Sequence, residues 1–125
     1  MDEAKLIDVG RDFSPTPGGR YRREGEWSGE QFREDVLEPA LQDGGEVIVD
    51  MDGVEGFTTS FLDEVFGELV RRYGVVVMDR VHLRAIKVPS RARRALEIVE
   101  QASQEKKGPH DAATSQTSRG SGGRS

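Results

Sequence analysis

Apolar residues along the chain follow two rhythms, one of short β-branched runs and one of positions recurring every three to four residues. The runs are Lys5 to Val9, Glu46 to Asp50, Val75 to Met78 and Leu83 to Val88, each with the length and composition of a strand. The second of them, EVIVD, is the type that forms a buried central strand. The helical rhythm occurs three times. Phe32, Val36, Leu37, Ala40 and Leu41 share one face behind Ser28, which has capping-box spacing to Gln31. Pro39 lies inside that pattern and predicts a kink or an end near Glu38. Leu62, Val65, Phe66, Leu69 and Tyr73 line a second helix from about Ser60 to Tyr73, with Asp63, Glu64, Glu68 and Arg72 facing outward and Gly74 as terminator. Ala92, Ala95, Leu96, Val99 and Ala102 line a third, from Ser90 to about Lys106.

Strands alternating with helices predict an α/β fold, a small sandwich in which a mixed β-sheet is covered by about three helices. Residues 10–27, GRDFSPTPGGRYRREGEW, carry two prolines and several glycines and read as a long loop. Loops of that length in small domains are functional or mobile. From Gly108 onward the chain is rich in Ser, Thr and Gly and holds no large apolar residue, which predicts one domain over 1–106 and a disordered tail over 107–125.

Composition narrows the function classes. At 125 residues with 18 Lys+Arg against 23 Asp+Glu, the chain carries a formal charge of -5, which disfavours general nucleic-acid affinity. Cysteine is absent, excluding disulfides, thiolate metal sites and a cysteine nucleophile. His82 and His110 have no ligand spacing to another donor, so neither a metal site nor another cofactor is expected. The opening MDEAKLIDVG has no apolar signal core, and no run reaches the length of a membrane span. A cytoplasmic protein is the expectation.

The most informative stretch is VIVDMDGVEGFTTSFLDEVFGEL, residues 47–69: a strand ending in carboxylates, a glycine turn, then hydroxyls opening an amphipathic helix. The carboxyl end of a strand in an open α/β sheet is where ligands and partners meet the fold. One reading is enzymatic. Asp50-Met51-Asp52-Gly53 resembles the opening motif of haloacid-dehalogenase-type phosphatases, in which the first Asp is a nucleophile, the second an acid/base, and Mg²⁺ is required. No paired acids follow on a later strand end, where Asp79 stands alone, so this Mg-dependent phosphohydrolase remains the alternative.

The other reading takes in more residues. The stretch resembles the signature of STAS domains, the bacterial anti-sigma factor antagonists, with Thr59 on the phosphorylated hydroxyl position, Ser60 on the second Ser and Leu62 on the Leu. Thr58 stands where that family has Asp, and Phe61 where it has Gly. Closer still, FSPTPGGRYRREGEWSGEQFREDVLEPAL (residues 13–41) and VDMDGVEGFTTSFLDEVFGELV (residues 49–70) resemble a STAS-like family of uncharacterised function, DUF4325. That resemblance implies a non-enzymatic regulatory module without catalytic residues. Its partner would be a protein such as a GHKL-type serine kinase acting as an anti-sigma factor. The implied switch hydroxyls are Thr59, Ser60 and Thr58, and the docking residues next to them are Asp52, Gly53, Glu55, Phe57, Asp63 and Glu64. A bulky Phe61 would alter how closely a kinase approaches. Read without the resemblance, the three hydroxyls are ordinary helix caps.

Two cation clusters complete the picture. Arg20, Arg22 and Arg23, with Tyr21 and Trp27, form either an anion-binding loop or a solvated loop packed by Trp27. Arg91, Arg93 and Arg94 open the last helix, where cations oppose the macrodipole, and read as solvated charges or as partners of an acidic face.

Overall fold

A computed structural model describes residues 4–106, and the tail expected from residue 107 lies outside them. Strands β1 (Lys5–Asp8), β2 (Val47–Asp50) and β3 (Val81–Arg84) form one sheet in that order. Lys5, Val47 and Val81 stand in register, as do Asp8, Asp50 and Arg84. The sheet expected to be mixed is therefore parallel among the described residues. Helical crossovers join its strands, where an antiparallel pair would need only a hairpin.

Two strand expectations are corrected. Val75 to Met78 belongs to a 3-10 stretch, Val75–Arg80, whose Val77 N–H bonds back to the Gly74 carbonyl. This segment runs directly from the preceding helix into β3 with no residues left for a return, so its valines cannot pair as a strand of their own. The last strand is Val81–Arg84, not Leu83 to Val88, because the N–H groups of Ile86, Lys87 and Val88 are taken by the Asp52 side chain. At the other end, β1 stops at Asp8, whose side chain accepts from Arg11 N and caps the short helix α1 (Val9–Asp12).

Three long helices cover the sheet. Helix α2 runs through Gly29–Phe32, a π turn Arg33–Leu37 and Glu38–Leu41. Ser28 caps it by accepting from Gln31 N, while the Gln31 side chain accepts from Trp27 N. Pro39 neither ends nor breaks it. The π turn moves the Glu38 N–H onto the Arg33 carbonyl, and the widened turn accommodates a residue without an N–H. Helix α3 runs through Thr59–Leu62, a π turn Asp63–Gly67 and Glu68–Tyr73. Helix α4 is Pro89–Lys106, and no helix of the described residues is long and apolar enough to cross a membrane.

Ile7, Val47, Val49 and Val81 are buried, whereas Leu6 and His82, on the opposite face, are exposed. One face of the sheet thus carries the helices, as right-handed crossovers between strands laid down in order require. The open face holds His82, whose Nε2 lies 2.9 Å from Glu46 Oε1. His110 falls outside the described residues.

Helix α3 is flanked by α2 and α4 and buries most of its circumference, Phe61, Leu62, Val65, Phe66, Leu69 and Val70 included. Glu64, expected to face outward, is buried as well. Arg33, itself 1% exposed, answers it. Its Nη2 lies 3.0 Å from Glu64 Oε2, its Nε donates to the Glu64 carbonyl, and its Nη1 lies 2.7 Å from Glu38 Oε2. Tyr73 and Leu96, expected in the inward stripes, are exposed: Tyr73 is the last residue of α3, and Leu96 lies mid-helix beside the buried Ala95 and Val99.

Candidate functional site

A parallel register brings the carboxyl ends of β1, β2 and β3 to one edge, with Asp8, Asp50 and Arg84 side by side. The three segments leaving that edge meet around the turn 51–58. Asp50 Oδ1 accepts from Asp52 N at 2.9 Å, and Met51 N donates to the Arg84 carbonyl at 2.8 Å. The Asp52 carboxylate accepts from Ile86 N at 2.9 Å, Lys87 N at 3.0 Å and Val88 N at 3.4 Å. It faces the β3–α4 loop as an internal clamp, with both carboxylate oxygens engaged by main-chain N–H groups.

Arg91 is the second clamp. Its Nη1 donates to the Met51 and Val54 carbonyls at 2.8 and 2.9 Å, its Nη2 donates to Glu55 O at 3.2 Å, and its guanidinium lies 5.7 Å from the Phe57 ring centroid. The solvated-charge reading is corrected for this arginine, since cations that oppose a helix dipole are useful when carbonyls face them. On the third side Gly10 meets Gly53 so closely that a Cβ on Gly10 would sit 2.2 Å from the Gly53 oxygen. Held from three directions, the turn still exposes Gly53, Glu55 and Gly56 and half-exposes Phe57.

The hydroxyls divide by role. Thr58 is the N-cap of α3, accepting from Phe61 N at 3.0 Å and donating to the Gly18 carbonyl. Thr59 is exposed, and its Oγ1 lies 2.7 Å from Arg94 Nη2. Ser60 is half-buried. Phe61 points away from them into the core, with ring centroids 6.1 Å from Phe32 and 5.5 Å from Phe57, so it does not stand before Thr59 as its sequence position had implied.

Asp63 and Glu64 are engaged inside the fold. Asp63 is held by Arg20 Nη1 at 2.6 Å and by Arg71 Nη2 at 2.7 Å, and Glu64 is enclosed against Arg33. The arginine loop pairs with residues of the domain itself while Arg22, Arg23 and Trp27 stay exposed. Arg22 reaches Glu34 and Asp35 of α2, Arg23 lies 4.8 Å over the Tyr21 ring, and Trp27 meets Phe13 edge-on at 5.3 Å. Trp27 adopts φ 61, a left-handed conformation costly for a bulky residue, while its N–H is held by Gln31 and its carbonyl by Gly18 N. Sequence reasoning passed over Arg33 and the pairing of Arg94 with Thr59. The former carried no signal beyond one cation among the four acids of its helix, and the latter depends on tertiary packing.

Two carboxyls around the turn and the head of α3 carry a pH signature, beside the exposed Asp12 and Asp43, which Arg11 and Lys5 also hold low. Desolvation raises the Asp52 carboxyl, but its three backbone N–H donors and nearby Lys87 outweigh that and hold it below the ordinary aspartate range. For Asp63 desolvation is likewise outweighed by Arg71 and Arg20. A depressed folded-state pKa contributes stability that is present above about pH 4 and lost as pH falls through the lower folded value. The urea midpoint is therefore expected to be flat from neutral pH to about 5 and to drop below about 4. The Asp52→Asn, Asp63→Asn double variant should decline less over the same acidic range, and an equally steep decline would contradict the assignment.

This order of elements, with helices on one face and the 51–58 turn at the carboxyl edge, makes a small α/β domain. A family model described as a STAS-like domain of unknown function (DUF4325) matches residues 28–90, just over half of the 125-residue chain, and the chain belongs to that family. The match runs from the α2 cap to the head of α4 and contains the whole 51–58 turn. No curated protein and no solved structure matches the chain.

Proposed function

We propose that this chain is a cytoplasmic regulatory module, not an enzyme, that docks a protein partner through the exposed turn at Gly53, Glu55 and Phe57 and the head of α3, with Thr59 as its switch. The observation that carries this reading is the exposed Thr59 hydroxyl 2.7 Å from Arg94 Nη2, beside a turn whose Asp52 carboxylate is spent on three main-chain N–H groups. A phosphate on Thr59 adds roughly 1.5 to 2 negative charges and three acceptor oxygens. Arg94 gives it a charge-assisted partner, so the modified domain stays folded while its surface changes sign locally. Family resemblance supports a kinase of the GHKL type, acting as an anti-sigma factor, as the partner that modifies and releases it.

Capture from host lysate with the wild-type chain and with Thr59→Glu tests this. The wild type is expected to retain a kinase that Thr59→Glu releases, and intact mass after incubation with that kinase should show one added phosphate, absent in Thr59→Val. Equal capture by both chains would contradict the switch. Turnover of a general phosphatase substrate with Mg²⁺, abolished by Asp50→Asn, would contradict the module.

A further inference from the structure

Lys87, Arg91, Arg93 and Arg94 fall within eight residues of a chain whose formal charge is -5. The first turn of α4 contains no acid to offset them. Arg91 is committed to the 51–55 carbonyls and Arg94 to Thr59, whereas Lys87 and Arg93 form no salt bridge among the described residues. Ile86 and Val88 flank Lys87 and are 69% and 37% exposed. Their exposure is imposed, because Asp52 fixes the main chain of all three residues. An isoleucine held in water on a fixed loop is a surface that a partner can desolvate favourably.

We infer that Ile86, Lys87, Val88, Arg93 and Arg94 form the part of the docking surface that receives an acidic protein segment carrying an apolar anchor, and that a negative charge at residue 59 competes with that segment for Arg94. This rests on the reading of the carboxyl edge as a protein-docking surface. Charge complementarity selects the occupant. Screening limits electrostatic reach to about 8 Å at physiological salt, so a narrow segment senses Lys87, Arg91, Arg93 and Arg94 with the nearby Asp52 and Glu97, and not the more distant acids of the molecule. A planar anionic membrane would also meet the exposed Glu55, Glu97 and Glu100, with Glu97 one turn beyond Arg93 on the same helical face. Nucleic acid would need a longer run of cations than this patch supplies.

The test is fluorescence anisotropy of the full chain with four probes: a labelled glutamate-rich peptide carrying central leucines, the same peptide with lysine for glutamate, the same peptide without leucines, and phosphatidylserine vesicles. The first peptide is expected to bind best, more weakly as salt rises. Its affinity should fall about tenfold in Ile86→Ser, in the Lys87→Glu, Arg93→Glu double variant and in Thr59→Glu, with circular dichroism unchanged. Failure to bind, equal affinity for the lysine peptide, or unchanged affinity in the variants would overturn the proposal, as would preference for vesicles. The lysate capture separates the two levels. Loss of the partner in Thr59→Glu with full retention in the Lys87→Glu, Arg93→Glu variant overturns this inference alone, whereas no capture by any chain removes the docking reading itself.

Discussion

Arg33→Ala is expected to cost about 3–5 kcal/mol, because it strands a buried carboxylate without its cation. Arg33 is fully enclosed between α2 and α3 and holds Glu64 through both the carboxylate and the main-chain carbonyl, with Glu38 on its other arm. Domains of this kind have roughly 5–15 kcal/mol in total, so the variant should be unfolded in part at physiological temperature. Urea denaturation followed by circular dichroism reads this as a lower midpoint at similar slope. The loss should be partly restored in the Arg33→Met, Glu64→Leu double variant, since apolar replacement of both partners avoids the stranded charge. A single-variant loss below about 1 kcal/mol, the range of exposed pairs, would contradict the burial of this pair.

Phe61→Ala is expected to have a loss of similar size, about 3–5 kcal/mol, the range for removing a buried aromatic ring. Phe61 joins three other rings, Phe13, Phe32 and Phe57, the last of them in the 51–58 turn, and its main chain lies against Gly29, where a Cβ would approach the Phe61 oxygen to 2.8 Å. Where the STAS signature that this stretch resembles has a glycine, this chain places a core residue, and a glycine there should unfold the domain and not open the site. Denaturant midpoints of Phe61→Ala and Phe61→Leu check the point, with Leu retaining the larger share of stability. Equal midpoints for wild type and Phe61→Ala would contradict the packing.

Much of the architecture was legible in the chain because burial is periodic there. EVIVD alternates buried Val47 and Val49 with half-buried Ile48 and Asp50, and the α2 and α3 stripes fall where their spacing placed them except at the exposed Tyr73. The failures have physical causes. Three valines suggested a strand at Val75, but strand formation requires a neighbour to pair with, and the chain enters β3 before it could return. A helical wheel turned Glu64 outward, but α3 is enclosed on two flanks and Arg33 makes an inward carboxylate tolerable. The site was legible as a location, a carboxyl strand end followed by a glycine turn and hydroxyls. Its roles were not, because Asp52 differs from a free carboxylate only through N–H groups donated from residues more than thirty positions away, and Arg91 differs from a solvated cation only through carbonyls equally distant. Such long-range hydrogen bonds leave no spacing in the sequence.

Photocrosslinking from position 56 tests most directly whether the 51–58 turn is a recognition surface. Gly56 is exposed, and a side chain there would meet nothing within 4 Å, so benzoylphenylalanine can be carried without disturbing the fold. The same group at exposed Gln42, just before β2 at the opposite edge of the sheet, is the control. Covalent capture of one protein partner from position 56, diminished by Thr59→Glu and absent from position 42, is the predicted result. Capture from position 42 and none from 56 would contradict it.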